Sequence, residues 1–580
     1  MRYLSDHQPA TPDASSRRAF LRQLALGGAT LGMSLWEPFL RAQSALVQPP
    51  GVLSGTEFDL RIGASVANVT GAARPAVTVN GSLPAPTLRW REGDTVTLRV
   101  ANTLAHERAA IHWHGILLPA AMDGVPGLSF DGIAPGETYA YHFQVRQSGT
   151  FWYHSHAGFH EQQGVYGALV IEPREPEPFQ YDRDHVVLLS DWTDEDPMRI
   201  FAKLKAQSDY YNFHERTIGN FLHDVRTKGW GAAVRDRAMW GQMRMSPTDL
   251  ADVTGYTYTY LVNGQPPGAN WTGVFAPGER VRLRFINGSA MTHFDVRIPG
   301  LKMTVVAADG RNVHPVTVDE FRIAVAETFD VIVEPSGQDA FTIFAQAMDR
   351  TGYAAGTLAV RPGLRAPVPA LDPRPLLTMD DMGMGMMDMA GMDMGGMHHN
   401  MSAMGGMQTH PASEQGNPLV DMQTMMPMSR LTDPGIGLRD NGRNVLTYDD
   451  LKSLFEDPDG REPGRTIELH LTGHMGRFVW SFDGLKFSDA SPIRLIYGER
   501  VRMVLVNDTM MAHPIHLHGM WSDLEDDDGR FHLRKHTIDM PPGTKRSFRI
   551  TADALGRWAF HCHLLYHMEA GMFREVRVDT

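Results

Sequence analysis

The sequence holds a single cysteine, Cys562, in 580 residues. That excludes an intrachain disulfide framework and any paired-cysteine zinc or iron–sulfur site. Positive charge is not in surplus: 54 Lys and Arg stand against 67 Asp and Glu, a formal charge of −13. Phosphate recognition wants a basic surface, so this balance argues against a nucleic-acid partner. Beyond the N-terminal region no apolar run approaches the length of a membrane span. Charged residues make up 21% and hydrophobic residues 42%, the balance of a globular rather than a disordered chain. At roughly 100–200 residues per domain, three or four domains with ample cores are expected.

What the chain has in excess is 34 Met and 26 His. With one thiol available, these point to soft-metal chemistry through thioether and imidazole.

The first residues read as an address. Ser16-Arg17-Arg18-Ala19-Phe20-Leu21 is a twin-arginine signature, followed by a moderately apolar run from Leu24 to Leu40 and a small-residue stretch, Ala42 to Ala45. Residues 1–45 are similar to a bacterial twin-arginine export signal, which implies a periplasmic mature chain. The competing reading is a short membrane anchor. The run is Gly-containing, too short to span comfortably, and interrupted near its end by Glu37 and Arg41.

The body is punctuated by Gly and Pro, with short Val/Ile/Thr/Phe runs between them. This predicts an all-β chain of sandwich domains. Internal repeats support it. Gly93 opens GDTVTLRVANTL and precedes His112 by 19 residues; Gly498 opens GERVRMVLVNDTMMAHP and precedes His516 by 18. Gly149 precedes His154 by five residues, and Gly556 precedes His561 by five. Gly278 opens a third copy, GERVRLRFINGSAMTHFDVRI, in which Phe294 to Arg297 replace the histidines and Phe341 to Gln346 align with Phe151 to His156. Three sandwich domains are expected, with metal in the outer two.

One stretch fits no domain. Between Met379 and Met428 lie 16 methionines, with His398, His399 and His410, much Gly and Asp, and no strand or helix period. It reads as a flexible insert that collects metal, or as a plain linker.

Alternate residues on a strand point the same way, so a His-x-His strand offers two imidazoles on one face. About one such pair is expected by chance at this His content. There are four at matched places in two repeats: His112/His114, His154/His156, His516/His518 and His561/His563. Two facing domains would gather eight imidazoles, a donor set suited to copper, zinc or iron. In the last cassette Cys562 sits between His561 and His563, with His567 five and Met572 ten residues on, and His513 upstream. Two His, a thiolate and a weak axial Met make a type 1, blue-copper electron-transfer site. On a strand, Cys562 points away from its neighbours, so it can bind one copper while they bind another centre.

These motifs, HWHG, HSH, HPIHLHG and HCHLLYHMEAGM, resemble the four copper-binding motifs of multicopper oxidases. NGSLPAPTLRWREGD, GFHEQQGVYGALVIEP, LLSDWTDEDP and the Met-rich insert resemble the bacterial copper-resistance members of the CopA type. The resemblance implies three cupredoxin-like domains at 46–175, 176–365 (without copper ligands) and 431–580 (with the type 1 site), and an insert at 366–430. It implies four coppers. His513, Cys562, His567 and Met572 would hold type 1, and His112 and His516 type 2. His114, His154, His156, His518, His561 and His563 would hold the type 3 pair. Ser155 stands where Cys562 stands in the last domain, so the first should lack a type 1 site. Asp123, before Gly124, matches the acid that supports proton delivery, although Asp before Gly is also a common turn. Glu569 is one residue beyond the position of a proton-donating Glu in the cuprous oxidase of enteric bacteria, where this chain has Met568.

The implied activity is one-electron oxidation of a substrate coupled to four-electron reduction of dioxygen to water. Thioethers select Cu(I), so Cu(I) is the expected substrate, with further Cu(I) on the Met-rich segment and a periplasmic copper carrier admitted as partner. A laccase-like oxidase of phenols or aromatic amines is the alternative. A copper-sequestering protein is the second, against which the complete ligand set argues.

Overall fold

A computed structural model describes residues 47–580, apart from Arg244 and residues 385–406. The export signal read in residues 1–45 lies outside them. Among the described residues no helix is long and apolar enough to cross a membrane.

Three pairs of sheets follow one another along the chain. In the first pair, the strand Glu57–Ala67 alternates buried and exposed positions over most of its length. Its inward side chains Phe58, Leu60 and Ile62 are buried. Period-two burial of this kind marks a strand with one face on a core. Aromatic rings fill that core: Trp90 packs on Trp113 at 5.5 Å and on Phe143 at 5.7 Å between ring centroids.

The repeat seen in the sequence is a repeat of strand pairing. His112–His114 runs antiparallel to Gly149–His154, with His112 opposite His154. His513–Leu517 runs antiparallel to Gly556–Cys562, with His516 opposite His561. In the middle pair Phe294–Arg297 runs antiparallel to Ala340–Ala347, with Asp295 opposite Gln346. The middle unit thus keeps the pairing and lacks the imidazoles. Its six-stranded sheet and the last one have the same strand order, as do their five-stranded sheets.

Two features depart from the expectation of strands joined by loops. Helices Pro197–Ala206, Ile218–Lys228 and Trp230–Gln242 lie between strands of the middle sheet pair. The first has Asp196 as N-cap, accepting from Met198 N, and Pro197 in its first turn. Proline lacks an N–H there that the helix would leave unpaired in any case.

The Met-rich segment is the second departure. Its ends are built into the fold. Met382, Met384 and Met422 are buried. The two limbs bond each other, Met426 N to Gly383 O at 3.2 Å. The returning limb also bonds the last sheet pair, Asp421 N to Gly473 O at 2.9 Å and Thr424 N to Asp508 Oδ1 at 2.7 Å. Expecting one flexible stretch from 379 to 428 was therefore too broad. Composition hides the apolar positions, because here methionine fills the role of core residue as well.

Candidate metal centre

Each outer sheet pair ends its paired strands in histidines, and the two ends face each other. His112 stacks on His518 and His114 on His516, both at 3.8 Å between ring centroids. All eight imidazoles are buried except His156, which is half-buried. Their ring nitrogens fall into three groups, each within 4.8 Å: His112/His114/His516, His114/His154/His563 and His156/His518/His561. Each group draws on both outer sheet pairs.

The outward ring nitrogens are held by acceptors. His112 Nδ1 donates to the Asp123 carbonyl at 2.8 Å, His516 Nδ1 to the His536 carbonyl at 2.6 Å, and His561 Nδ1 to the Cys562 carbonyl at 2.9 Å. His518 Nδ1 bonds Asp123 Oδ2 at 2.9 Å, and His154 Nδ1 bonds Glu161 Oε2 at 2.6 Å. A carbonyl oxygen only accepts, so the proton sits on Nδ1 and Nε2 is a bare lone pair. His518 Nε2 and His561 Nε2 then face each other at 3.1 Å as two acceptors. Nε2 of His112, His156 and His516, and Nδ1 of His114, have no hydrogen-bond partner, and His563 Nε2 faces His154 Nε2 at 3.2 Å. Converging buried lone pairs are unfavourable alone and favourable around a cation.

Burial, then the neighbouring imidazoles, lowers the basicity of His114, His154, His156, His516, His518 and His563 well below the usual range. Burial holds His561 down to about 4. Neutral imidazole is the metal-binding form.

Gly124 lets Asp123 reach this place. Its φ is +82°, and a Cβ there would lie 1.8 Å from the Ile111 carbonyl oxygen. Only glycine allows the Asp123 turn to lie against the strand that carries His112. The Asp123 carboxylate also approaches His112 Nδ1 at 3.3 Å, so it spans two histidines from different sheet pairs.

On the other side of Cys562 lies a second set. Cys562 Sγ is 3.5 Å from His513 Nδ1 and 3.8 Å from His567 Nδ1, and the two nitrogens are 3.1 Å apart. Thr509 Oγ1 bonds His513 Nε2 at 2.7 Å, and Asp252 Oδ2 bonds His567 Nε2 at 2.6 Å. Such partners fix ring orientation and raise ligand basicity. Met572 is fully buried; its backbone N bonds the His567 carbonyl and its carbonyl accepts from Cys562 N. Trp480 covers His567 at 4.1 Å between centroids. Burial pushes the Cys562 thiol well above its ordinary range, a cost that a bound cation would offset.

Multicopper oxidase family models match residues 62–176, 183–363 and 460–580. Copper resistance protein A of Escherichia coli is 65% identical over 97% of this chain and 99% of its own. The chain belongs to the multicopper oxidase family. A copper resistance protein A homolog of Pseudomonas syringae pv. tomato is 66% identical over 98% of this multicopper oxidase and all of its own length. The solved multicopper oxidase Fet3p shares the fold at a TM-score of 0.63 and 20% identity, covering 91% of each chain. The family binds copper, and the donors present fit it: imidazoles with free lone pairs in one site, a thiolate with two imidazoles in the other.

Apart from Asp123, sequence reasoning missed the carboxylates that hold the imidazoles of this oxidase, Glu161 and Asp252. Glu161 lies on the short helix His160–Gln163, seven positions after His154, and a buried acid so near the HSH motif was a readable signal. Asp252 is 315 positions from His567 and carries no local signal. Glu569, in contrast, is exposed at the end of the helix Leu565–Glu569. No hydrogen bond or ion pair joins it to the described residues of either site.

Proposed function

We propose that this protein is an exported copper-resistance oxidase that takes electrons singly from Cu(I) and delivers four to dioxygen, giving two waters. The placement of Cys562 carries this reading. Its sulfur faces His513 and His567, while its chain neighbours His561 and His563 enter two of the three imidazole groups.

In this reading His513, Cys562, His567 and Met572 hold type 1 copper and His112 and His516 hold type 2. The type 3 pair divides as His114/His154/His563 and His156/His518/His561. When bound, the four coppers supply a one-electron acceptor at Cys562 and the centre at which dioxygen is reduced. The polypeptide supplies the link between them, a few covalent bonds from the sulfur to either flanking imidazole. Burial of the imidazoles keeps bulk water from the reacting groups.

Four protons must accompany four electrons. Asp123 Oδ2, on His518, and Glu161 Oε2, on His154, are the buried carboxyl oxygens placed to hold and pass them. Glu161 replaces Glu569 in that role. Burial raises its carboxyl well above the ordinary range, and Asp191 adds to this, which favours keeping a proton.

A cleft beside Asp252 supports Cu(I) as substrate. Met291, Met348, Met511 and His293 line it, thioethers and an imidazole next to the residue that holds His567. The names of the relatives, copper resistance proteins, agree with this chemistry. Domains at 46–175, 176–365 and 431–580, joined by the insert at 366–430, and twin-arginine export of the chain to the periplasm complete the proposal.

Cys562→Ser tests it. The variant should lose the blue absorption band and Cu(I) oxidation together while retaining imidazole-bound copper. A variant that stays blue, or that oxidises Cu(I) at the wild-type rate, contradicts the assignment.

A further inference from the structure

Outside the two sets of oxidase ligands, and next in the chain to Thr509, which holds His513, the returning limb of the Met-rich segment meets the last sheet pair in a compact donor cluster. His470 lies on the strand Arg465–His474, and Asp508 directly follows the strand Arg500–Asn507. His410 and Glu414 come from the limb. One nitrogen or oxygen from each of the four lies within 4.8 Å of the others. His470 Nδ1 is 2.6 Å and His410 Nδ1 3.3 Å from the same oxygen, Asp508 Oδ2. Glu414 Oε2 is 3.2 Å from His410 Nδ1, and Glu414 Oε1 is 3.8 Å from His470 Nδ1.

The outer atoms are already engaged. His410 Nε2 donates to the Thr424 carbonyl at 3.0 Å, and His470 Nε2 faces Glu468 Oε1 at 3.3 Å. Thr424 N bonds Asp508 Oδ1 at 2.7 Å, and Gln423 Nε2 bonds Glu414 Oε2 at 2.9 Å. With protons on the outer nitrogens, both Nδ1 atoms present lone pairs to carboxylate oxygens. Acceptors facing acceptors require either additional protons or a cation. Glu414 Oε1, in a side chain with no solvent exposure, has no hydrogen-bond partner.

We propose that His410, Glu414, His470 and Asp508 form a binding site for Cu(II). Two imidazoles and two carboxylates suit a borderline divalent ion, and Cu(II) heads the affinity order for such nitrogen and oxygen sets. The set contains no thioether or thiolate, which separates it in kind from the methionines around it and disfavours Cu(I). Bound there, the ion ties the returning limb to the last sheet pair. It also places the oxidised product of the proposed reaction on the protein; this last clause rests on the function proposed above.

The test uses the full chain loaded with its oxidase coppers, equilibrated with Cu(II) and dialysed. Copper per chain is counted by mass spectrometry, and Cu(II) geometry is read by electron paramagnetic resonance. Wild type should carry one ion more than His410→Gln and more than Glu414→Gln, the latter preserving shape without charge. The spectrum should lose a tetragonal Cu(II) signal coupled to two nitrogens in His410→Gln. Affinity for the extra ion should fall at least tenfold in each variant. Equal counts and superimposable spectra in all three proteins overturn the proposal, as does an extra ion that equimolar Zn(II) displaces. A wild type that holds the extra Cu(II) but oxidises no Cu(I) overturns the oxidase reading and leaves this site standing. Cu(I) oxidation without the extra ion does the reverse.

Discussion

Asp123 does two things with one side chain and its backbone. Its carbonyl orients His112, and its carboxylate holds His518 from the opposite sheet pair. Asp123→Asn keeps the shape and an acceptor for His518 Nδ1, but an amide cannot hold and release a proton as a carboxyl does. We expect reoxidation of the fully reduced enzyme by dioxygen to slow by about 10²-fold, within the range for a positioned general acid. The blue band should persist, because Cys562 and its partners are untouched. Stopped-flow reoxidation is the measurement, and an unchanged rate would leave Asp123 an orienting residue only. Asp123 was visible in the sequence through the family resemblance of Met122-Asp123-Gly124; Gly124 alone reads equally as a turn. Asp252 and Thr509 were not: side chains that hold a ligand from behind follow no spacing rule, and only the fold brings Asp252 to His567.

At the scale of elements, the paired strands were the most legible part of the chain. A His-x-His strand has a fixed physical consequence, two imidazoles on one face, and four such strands in two repeats leave little freedom. The helices of the middle unit were less legible. Ile218–Lys228 does carry an apolar stripe, Ile218, Phe221, Leu222 and Val225 at helical spacing, but it buries none of its residues, and a reading weighted towards strand runs passed over it. The Met-rich segment misled for a different reason, since the same residue type serves in its packed limbs and in its central run. Its two roles can be separated. Deleting residues 385–406 should spare the fold and the blue site, because the limbs on either side hold each other through Met426 N and Gly383 O. Cu(I) oxidation at low free Cu(I) should fall several-fold, as tethered thioethers no longer raise its local concentration. Oxidation of a bulky phenol should not fall. Equal effects on the two substrates would reduce the segment to a linker. Extending the deletion to 379–428 removes buried Met382 and Met422, each worth about 2–5 kcal/mol when truncated in a core, and should lower the melting temperature.

Across the whole molecule, the imidazole centre belongs to neither outer sheet pair alone. Neutral imidazoles pressed together in a buried interface make the copper-free protein sensitive to acid. The unfolded chain takes up protons at these histidines near the ordinary value of 6.5, whereas folded His561 does so only near 4. Protons therefore favour the unfolded state. The stability due to these groups is complete above pH 6.5 and is lost as pH falls through 4. The melting temperature of copper-free protein should drop over that interval, and copper should raise it most at the upper end, where protons compete least for the lone pairs. A copper-free melting temperature that is flat from pH 6.5 to 4 would contradict the neutral, buried state of the imidazoles.

The central claim is that one-electron oxidation of Cu(I) is coupled to complete reduction of dioxygen through Cys562. Oxygen uptake against Cu(I) consumed, measured on the copper-loaded enzyme with spontaneous oxidation subtracted, tests it most directly. Four electrons and four protons convert dioxygen to two waters, so the account predicts about four Cu(I) oxidised per dioxygen, no accumulated peroxide, and loss of the coupled uptake in Cys562→Ser. A ratio near two with peroxide released, or uptake that survives in the serine variant, would contradict it.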